Sequence, residues 1–457
     1  MTNRLGVLVL LVLATACDRL RPTEPLEQAG LDSQLRQTLG VWGALPIRQV
    51  PPQNPALVDL GQSLFFDKVL SGNRDMACAT CHDPLSQALD GLTLSVGTGG
   101  TGLGSSRTLG AGRQFVPRNA PSLMNQGLGF FYMLWDGRIN DEFGGGSTKA
   151  PAGVVLPPGL TNLLAAQAML PVLNRVEMRG NAGDTDVFGN QNELANIPDA
   201  NPPDVWRATM TRLLSIQAYV AKFNAAYPGQ GTANLGFQHA ANALAAFQIH
   251  SFTRINSPFD RYLAHDNSAL TTEQKRGALL FFGRARCSTC HTGALLGGTN
   301  FANIGIPQVG PGVGAAAPLD IGRAEHISPQ MGGSFYRFSF RVPALRNVEL
   351  TAPYMHNGVY PTLEAVVRHY TNADSALRNY DVTQLPVALR ATYRNDAATF
   401  QDLLTNLDFR LKFREIELSA TDQQEIVAFL KSLTDPDARN MAGAVPASVP
   451  SGLAIRN

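Results

Sequence analysis

The chain contains the pentapeptide Cys-Ala-Thr-Cys-His at residues 78–82, and the same pattern returns at residues 287–291 as Cys-Ser-Thr-Cys-His. Two thiols three positions apart reach the two vinyl groups of one haem, and the adjoining imidazole lies under the iron. The motifs therefore predict two covalently bound haem c groups. Their ligands would be Cys78, Cys81 and His82 in the first motif and Cys287, Cys290 and His291 in the second.

Other uses of paired cysteines fit this pattern less well. A zinc site built from two Cys-x-x-Cys pairs places them about fifteen to twenty residues apart, whereas about two hundred residues separate these pairs. A thioredoxin-like redox pair gives no reason for a histidine to follow both pairs. Haem attachment explains the histidines, and it is the interpretation that we keep.

Composition excludes several classes of protein. The chain has 457 residues, with 37 Lys+Arg against 36 Asp+Glu, and its formal net charge is +1. Nucleic-acid binders and polybasic membrane binders carry a surplus of positive charge, so we expect neither. Hydrophobic residues make up 44% and charged residues only 16%, which indicates a globular protein of two or three domains rather than a disordered or coiled-coil chain.

The first 17 residues are typical of a targeting segment. Arg4 provides a positive start, and residues 5–13 form an apolar run that is too short for a membrane-spanning helix. The small residues before Cys17 resemble a bacterial lipobox, which predicts a lipid anchor on that cysteine. The alternative is an ordinary cleaved signal peptide. Both interpretations place the mature protein in the periplasm.

The residues before the two motifs repeat one another. Residues 61–66 read Gly-Gln-Ser-Leu-Phe-Phe, and residues 277–282 read Gly-Ala-Leu-Leu-Phe-Phe. Each stretch predicts an amphipathic helix that brings two aromatic side chains beside its haem. Thr271 with Gln274 predicts a capping box before the second of these helices, and Thr421 with Gln424 predicts the start of a terminal helix.

This repeat predicts two haem domains in a mainly α fold, two cytochrome c-like domains with long irregular loops. Residues 206–226 and 238–253 have helical patterns, and strand-like alternation is scarce. A Gly/Pro-rich stretch over residues 144–159 is typical of a loop insertion. The predicted order is a linker (18–55), an N-terminal haem domain (56–266), a C-terminal haem domain (267–436) and a flexible tail (437–457) rich in Gly, Ala, Pro and Ser.

Five further motifs accompany the haem motifs. They are Arg-Asn-Ala-Pro-Ser at 118–122, Trp-Asp-Gly-Arg at 135–138, Val-Glu-Met at 176–178, Ser-Pro-Phe-Asp-Arg-Tyr-Leu at 257–263, and Leu-Arg-Asn-Val-Glu-Leu-Thr-Ala-Pro-Tyr-Met-His-Asn-Gly at 345–358. Together they resemble the bacterial dihaem cytochrome c peroxidases and the related MauG-like enzymes, over about residues 55–433.

The resemblance implies an oxidoreductase that reduces hydrogen peroxide at the N-terminal haem with electrons relayed through the C-terminal haem. The electron donor would be a small protein, a cytochrome c or a cupredoxin. A second hypothesis is a MauG-like enzyme that uses peroxide to oxidise residues of a partner protein. A third is a dihaem electron carrier without catalysis.

The residue opposite His82 decides whether peroxide can reach the first iron. Family members whose first haem is closed at rest have a second histidine sixteen positions later, in a Ser-hydrophobic-Gly-His setting. Residues 95–98 here read Ser-Val-Gly-Thr, so Thr98 stands in the place of that histidine. A threonine hydroxyl is a poor iron ligand, and we expect an open first haem. The alternative is that another side chain of residues 97–112, which include no His or Met, fills the position.

The resemblance also implies the residues around that open position. Gln167, Pro171 and Glu177 match the family's glutamine, proline and glutamate in type and spacing. Glu177 would be the general acid/base that moves a proton between the peroxide oxygens; the alternative is a surface glutamate. Arg175 departs from the family, which usually has proline there, and the 144–159 insertion lengthens the path from Trp135, so the pocket is expected to differ in shape.

At the second haem the family has either methionine or tyrosine as the distal ligand. Tyr370 lies fourteen positions after His356, where that ligand is expected. Phenolate oxygen favours ferric and higher states, whereas thioether sulfur favours ferrous iron, so Tyr370 favours the MauG-like hypothesis. A buried aromatic without a ligand role is the alternative, and His369 and Met355 are rival ligands.

The remaining site residues are also implied by the resemblance. Trp135 matches the tryptophan that relays electrons between the haems, although a core indole would look the same in sequence. His356 matches a residue of the second haem pocket. Asn119, Thr351 and Pro353 match positions that bind a calcium ion between the domains through oxygen donors.

Overall fold

The computed structural model describes residues 24–141, 148–412 and 416–456, and the fold is mainly α-helical, as predicted. The predicted signal segment with Cys17 and residues 144–147 of the predicted insertion lie outside the described residues. The α-helices of the described part are α1 (Glu24–Val41), α2 (Pro55–Phe66), α3 (Cys78–Cys81), α4 (Leu163–Ala168), α5 (Pro202–Leu214), α6 (Gln217–Ala226), α7 (Phe237–Phe252), α8 (Pro258–Leu263), α9 (Thr272–Phe282), α10 (Leu363–Thr371), α11 (Ala373–Arg378), α12 (Val387–Arg390), α13 (Ala397–Thr405), α14 (Phe409–Lys412) and α15 (Ala420–Lys431).

Strands are short, and the connections between helices are long and irregular. The strands are β1 (Tyr132–Met133), β2 (Ile139–Asn140), β3 (Phe301–Ala302) and β4 (Phe340–Arg341). β1 pairs antiparallel with β2, and β3 pairs antiparallel with β4. Within the described ranges, no helix combines the length and the apolar character that crossing a membrane requires.

The predicted repeat is present in the packing of the helices. α2 packs against α7, and α9 packs against α15. The first residue of each repeated stretch, Gly61 or Gly277, lies at the crossing. A Cβ on Gly61 would collide with the carbonyl oxygen of Ala243, and a Cβ on Gly277 would collide with that of Glu425. Glycine at both positions therefore allows the backbones of each helix pair to approach closely.

The repeated aromatic pairs occupy equivalent places in two separate hydrophobic cores. In the first core Phe65 lies 5.1 Å from Phe247, measured between ring centroids. In the second core Phe281 lies 5.2 Å from Phe429 and 6.3 Å from the ring of His291. Each core is therefore built around the helix that precedes its Cys-x-x-Cys-His motif.

The segment predicted as a linker contains a docked helix. α1 packs against α9, and its Leu35 and Leu39 are buried in the second core. On the same helix Asp32 accepts a hydrogen bond from the hydroxyl of Tyr262 at 2.9 Å and pairs with Lys275 at 2.9 Å. Leu35 and Leu39 lie one turn apart on the helix. Their burial determines the structure of this segment more than the proline-rich composition of the residues that follow does.

The segment predicted as a flexible tail is also packed. Met441 and Val449 are buried in the first core. The Ser451 hydroxyl donates to Oδ1 of the buried Asp67 at 2.6 Å, and Arg456 pairs with the buried Asp83 at 2.9 Å. The prediction of a loose tail was wrong because a few apolar residues suffice to anchor a segment on a core that is already formed.

Local signals for the helix starts were partly right. The capping box of Thr271 and Gln274 is present and begins α9. The terminal helix α15 begins two residues earlier than predicted, with a capping box between Ser419 and Asp422 instead of Thr421 and Gln424. The helical pattern over residues 206–226 is divided between α5 and α6, which residues 215–216 separate.

Candidate functional site

The first Cys-x-x-Cys-His motif folds into one short helical turn. His82 follows α3 and donates its backbone N–H to the carbonyl oxygen of Cys78 at 3.0 Å. The Thr80 hydroxyl oxygen accepts the backbone N–H of Ala77 at 2.9 Å, which closes the start of the turn. The two thiols and the imidazole therefore come from one compact segment.

Both motif histidines have one ring nitrogen left for a metal. Nδ1 of His82 lies 3.2 Å from the carbonyl oxygen of Ala88, and Nδ1 of His291 lies 3.0 Å from that of Leu296. Because a carbonyl oxygen only accepts hydrogen bonds, each Nδ1 carries the hydrogen and each Nε2 keeps a lone pair. Burial lowers the pKa of both histidines to about 4, so the rings stay neutral, which is the form that binds iron.

A cavity of about 240 Å³ lies beside the second motif, and Cys287, Cys290 and His291 line it. His356 also lines it and stacks on the ring of Phe340 at 3.6 Å. Nε2 of His356 is buried without a hydrogen-bond partner among the described residues. An unpartnered buried polar atom in a residue of the cavity wall indicates a group that the folded chain alone does not supply. The thiols, the neutral imidazole and the cavity fit the predicted haem.

The residues predicted around the first haem lie on consecutive segments. Gln167 is in the last turn of α4, Pro171 begins a 3₁₀ helix, and Glu177 lies in a one-turn π-helix (Arg175–Arg179) that contacts it. Oε1 of Gln167 is buried and lacks a hydrogen-bond partner within the described ranges. The structure thus brings the three residues close together in one region.

The turn that carries Glu177 is attached to the loop that carries Thr98. The backbone N–H of Thr98 donates to the carbonyl oxygen of Glu177 at 2.9 Å. A Cβ on Gly97 would collide with the carbonyl oxygen of Val176, so the two backbones are in contact. The Thr98 hydroxyl donates to Oδ1 of Asp75 at 2.8 Å. This hydrogen bond fixes the Thr98 side chain against Asp75.

Arg107 fixes the rest of this loop. Its guanidinium donates to the carbonyl oxygens of Val96, Gly97 and Gly102 at 2.8 to 2.9 Å, and the residue is 5% exposed. Sequence reasoning did not single out Arg107 or Asp75, because neither belongs to a motif. A lone cation within a Gly-rich stretch was the only available signal.

The Glu177 carboxyl lies within electrostatic range of the first motif. Burial raises the pKa of Glu177, and the positive charge of Arg138 opposes this. Burial, and after it the charge of Glu177, raises the pKa of Cys78 to about 12. The same charge contributes to the raised pKa of Cys81. Glu177 is therefore near the position where the first haem is predicted, and it keeps a proton more readily than an ordinary glutamate does.

Tyr370 lies in the last turns of α10 and lines the cavity of the second motif. Burial raises its pKa, and the charges of Cys290 and Cys287 add to this effect. The phenol thus lines the same cavity as both thiols and lies within their electrostatic range.

The two rival ligands differ in their surroundings. His369 has both ring nitrogens engaged, because Nδ1 lies 2.9 Å from the hydroxyl of Tyr360 and Nε2 lies 2.6 Å from the carbonyl oxygen of Ile304. It is therefore a poor candidate for binding iron. Met355 lines the same cavity as Tyr370 and stays an alternative.

Trp135 lies between the two halves of the chain. Its Nε1 donates to the carbonyl oxygen of Asn119 at 2.9 Å, and its own carbonyl oxygen accepts the backbone N–H of Arg341 at 2.7 Å. The side chain lines the cavity of the second motif. Its hydrogen bonds tie the segment after β1 to β4.

The residues predicted to bind calcium line this cavity too. Asn119, Thr351 and Pro353 all contribute to its wall. The Thr351 hydroxyl donates to the carbonyl oxygen of Val348, and Nδ2 of Asn119 donates to that of Leu92. The described residues contain no cluster of three or more His, Cys, Asp or Glu that could hold a metal ion. A calcium site here would depend on main-chain oxygens and stays a prediction.

A buried group of charges lies next to Trp135. Asp136 is fully buried, binds Arg118 and Arg138, and lies 2.9 Å from Nε2 of His326. Arg118 also binds Asp320 through two hydrogen bonds of 2.6 and 2.8 Å. Burial opposes the charge of Asp136, but Arg138 and Arg118 outweigh it and hold its pKa well below the usual range. Sequence reasoning used the motifs of these residues without recognising their pairing, which joins distant segments.

The comparisons with known proteins agree with one another. A family model described as di-haem cytochrome c peroxidase matches residues 55–268. The cytochrome c551 peroxidase of Pseudomonas aeruginosa is 31% identical over 315 residues, which cover 69% of this chain and 71% of that protein. The methylamine utilization protein MauG of Methylorubrum extorquens is 28% identical over 361 residues, which cover 79% of this chain and 81% of that protein.

A solved structure extends the similarity to the fold. The crystal structure of a MauG-like protein associated with microbial copper homeostasis has a TM-score of 0.57 and 26% sequence identity, covering 86% of this chain and 95% of that one. Peroxidases and MauG proteins thus match most of the same residues.

Proposed function

The chain belongs to the dihaem cytochrome c peroxidase and MauG family and is a peroxidase-type enzyme with two haems, and we propose that it reduces hydrogen peroxide at the haem attached through residues 78–82. The observation that carries this proposal is the contact between the turn of Glu177 and the loop of Thr98, whose backbones are joined by a hydrogen bond of 2.9 Å. The charge of Glu177 also acts on the thiols of Cys78 and Cys81. Electrons would come from a small cytochrome c or cupredoxin and pass through the haem of residues 287–291.

Each of the predicted site residues has its own role in the proposed reaction. When bound, the first haem supplies an iron that binds peroxide and stores oxidising equivalents. Glu177 takes a proton from one peroxide oxygen and returns it to the other, which leaves as water. Oε1 of Gln167, which has no hydrogen-bond partner among the described residues, accepts a hydrogen bond from peroxide or from the departing water, and Pro171 shapes the wall. Trp135 relays electrons between the two haems.

The experiment mixes the purified ferric holoprotein with hydrogen peroxide in a stopped-flow spectrometer, with and without reduced cytochrome c. We expect a high-spin component in the resting spectrum and a fast reaction with peroxide. Glu177→Gln should slow that reaction by about 10²- to 10⁴-fold without changing haem content. Glu273→Gln, on the exposed first turn of α9, is the control. Two low-spin, six-coordinate haems in both the resting and the half-reduced protein would contradict the proposal and favour the electron carrier.

Oxidation of a partner protein is the second candidate function, and the position of Tyr370 favours it. A phenolate ligand at the second haem would make that haem a weak electron acceptor but a good store of oxidising equivalents. If Tyr370 is the ligand, Tyr370→Phe should change the absorption of the second haem and shorten the lifetime of the oxidised state. Tyr354→Phe is the matched control, because Tyr354 lines the same cavity but its hydroxyl donates to the Glu349 carbonyl oxygen at 3.3 Å. Equal spectra for the two variants would contradict a Tyr370 ligand.

The remaining features are proposed on the same basis. Two haem domains, over residues 56–266 and 267–436, are supported by the two separate cores. A periplasmic location and a lipid anchor on Cys17 are supported by the sequence of the first 17 residues. A calcium ion is supported by the presence of Asn119, Thr351 and Pro353 on one cavity wall.

A further inference from the structure

Two arginines on one short segment face the cavity of the second motif. Arg341 ends β4, Arg346 follows five residues later, and each is only 4% exposed. Both line the cavity together with Cys287, Cys290 and His291. The segment is fixed against the loop that follows His291, because Val342 donates its N–H to the carbonyl oxygen of Asn300 at 2.9 Å and Leu345 donates to that of Leu295 at 3.1 Å.

Some N–H groups of the two guanidinium groups form hydrogen bonds, and others have no partner among the described residues. Nε of Arg341 donates to the carbonyl oxygen of Leu134 and Nε of Arg346 donates to that of Ala294. Nη1 of Arg341 and Nη2 of Arg346 are buried without a hydrogen-bond partner within the described ranges. Nη1 of Arg346 lies 3.1 Å from Oδ1 of Asp260, an ion pair without hydrogen-bond geometry.

A buried guanidinium with unused donors is unfavourable unless an anion completes it. Burial lowers the pKa of both arginines, to about 10 for Arg341. A third arginine on the same cavity shows the contrast, since Arg410 holds Asp408 through two hydrogen bonds and donates to the carbonyl oxygen of Thr289. Within the described ranges, Arg341 and Arg346 therefore keep N–H donors that no carboxylate or carbonyl oxygen accepts, whereas Arg410 does not lack a carboxylate partner.

We propose that Arg341 and Arg346 bind the propionate carboxylates of the haem attached through Cys287 and Cys290. A haem carries two propionates, and a guanidinium fork matches a carboxylate in charge and shape. This inference rests on the proposed haem at residues 287–291. It also gives Arg341 a second role as a positioning residue, because its backbone N–H holds the carbonyl oxygen of Trp135. One residue would thus fix both the second haem and the segment of the electron relay.

The experiment compares the holoproteins of Arg341→Gln, Arg346→Gln and the control Arg410→Gln. The measurements are the propionate bending bands in the resonance Raman spectrum and the pH dependence of the reduction potential of the second haem. We expect Arg341→Gln and Arg346→Gln to shift the propionate bands. They should also make the potential fall with rising pH through the neutral range, because a propionate without its cation gains a proton more readily. Arg410→Gln removes a cation from the same cavity and should leave both readouts as in the unmodified protein.

Unchanged propionate bands and an unchanged pH dependence in both variants would overturn the inference. A lowered potential alone would not support it, because the loss of any nearby cation has that effect. If a glutamine variant fails to mature, Arg341→Lys and Arg346→Lys keep the charge but lose the fork, and the bands should still shift. The number of haems per chain is measured first, because a single haem would contradict the proposed function, whereas two haems with unaltered bands would contradict only the role of these arginines.

Discussion

The positive charge of Arg138 acts on two carboxyl groups, those of Asp136 and Glu177. Its Nη1 binds Asp136 at 2.7 Å, and its charge also opposes the rise in the pKa of Glu177 that burial causes. A glutamate that must give and take a proton works best when its pKa is near the working pH. The balance between burial and Arg138 therefore sets the pH at which Glu177 can act.

The pH profile of the reaction with peroxide tests this balance. Glu177 must be ionised to take a proton, so the rate constant should fall as the pH drops through its raised pKa, at a higher pH than for an ordinary glutamate. Arg138→Gln should move this acid limb to a still higher pH, because the positive charge that opposes the effect of burial is lost. Arg207→Gln, which removes an exposed arginine, should not move it. An acid limb that stays in place in Arg138→Gln would mean that Arg138 does not act on Glu177.

At the residue scale, the sequence predicts which residues attach a haem better than it predicts which residues contact one another across the fold. The motif of residues 78–82 specifies its own ligands, because the thiols and the imidazole are adjacent in the chain. The motifs alone could not distinguish Tyr370 from His369 as the candidate distal ligand of the second haem. That distinction depends on Tyr360 and Ile304, which engage the two nitrogens of His369 from other segments.

At the scale of the secondary-structure elements, two glycines determine how closely the helices approach at the two crossings. Gly61 and Gly277 let α2 and α9 lie against the backbone of α7 and α15. These crossings carry the aromatic pairs and set where the following Cys-x-x-Cys-His motifs begin. The repeat in the sequence was visible, but the reason for its glycines needed the facing carbonyl oxygens of Ala243 and Glu425.

Substitution of these glycines should destabilise the protein. Gly61→Ala and Gly277→Ala are each expected to lower the free energy of unfolding by about 1–3 kcal/mol, because the new methyl group overpacks the crossing. Gly30→Ala is the control, since a Cβ there meets nothing within 4 Å, and it should raise the stability by up to about 1 kcal/mol through helix propensity. Denaturant unfolding of the holoproteins, followed by circular dichroism, measures the differences. Equal stability of Gly61→Ala and Gly30→Ala would contradict this account of the crossing.

Helix starts show where local rules are ambiguous. Ser419 with Asp422 and Thr421 with Gln424 both satisfy the capping pattern, and the structure uses the first pair. The helix that starts there buries Ile426, Phe429 and Leu430. The local pattern permits either start, so a prediction from the sequence is expected to miss by about two residues.

At the scale of the whole molecule, each core is completed by a chain end that comes from the opposite half. α1, near the N-terminus, packs on the second core, while residues 437–456 pack on the first. The partition into domains predicted from the sequence did not include these exchanges. Composition predicted a linker over residues 18–55 and a flexible tail over residues 437–457. The burial of α1 and of residues 437–456 depends on surfaces more than two hundred residues away.

The docking of α1 can be tested by a cavity-forming substitution. Leu35 is fully buried in the second core, so Leu35→Ala should lower the free energy of unfolding by about 2–5 kcal/mol. Gln34→Ala changes the neighbouring exposed position and should have little effect. Thermal unfolding of the holoproteins gives the comparison. Similar melting temperatures for the two variants would show that α1 does not contribute to the stability of the second core.

The exchange of chain ends has a consequence for how the molecule is made. The Ser451 hydroxyl donates to the carboxyl of Asp67 across a separation of 384 residues, so the first core is completed only after residues 437–456 have been synthesised. The motif of residues 78–82 precedes that segment in the chain, so its surroundings stay open to haem attachment until the segment docks. The order of assembly is thereby set by connectivity: the prosthetic group predicted at this motif can be joined first, and residues 437–456 then enclose it.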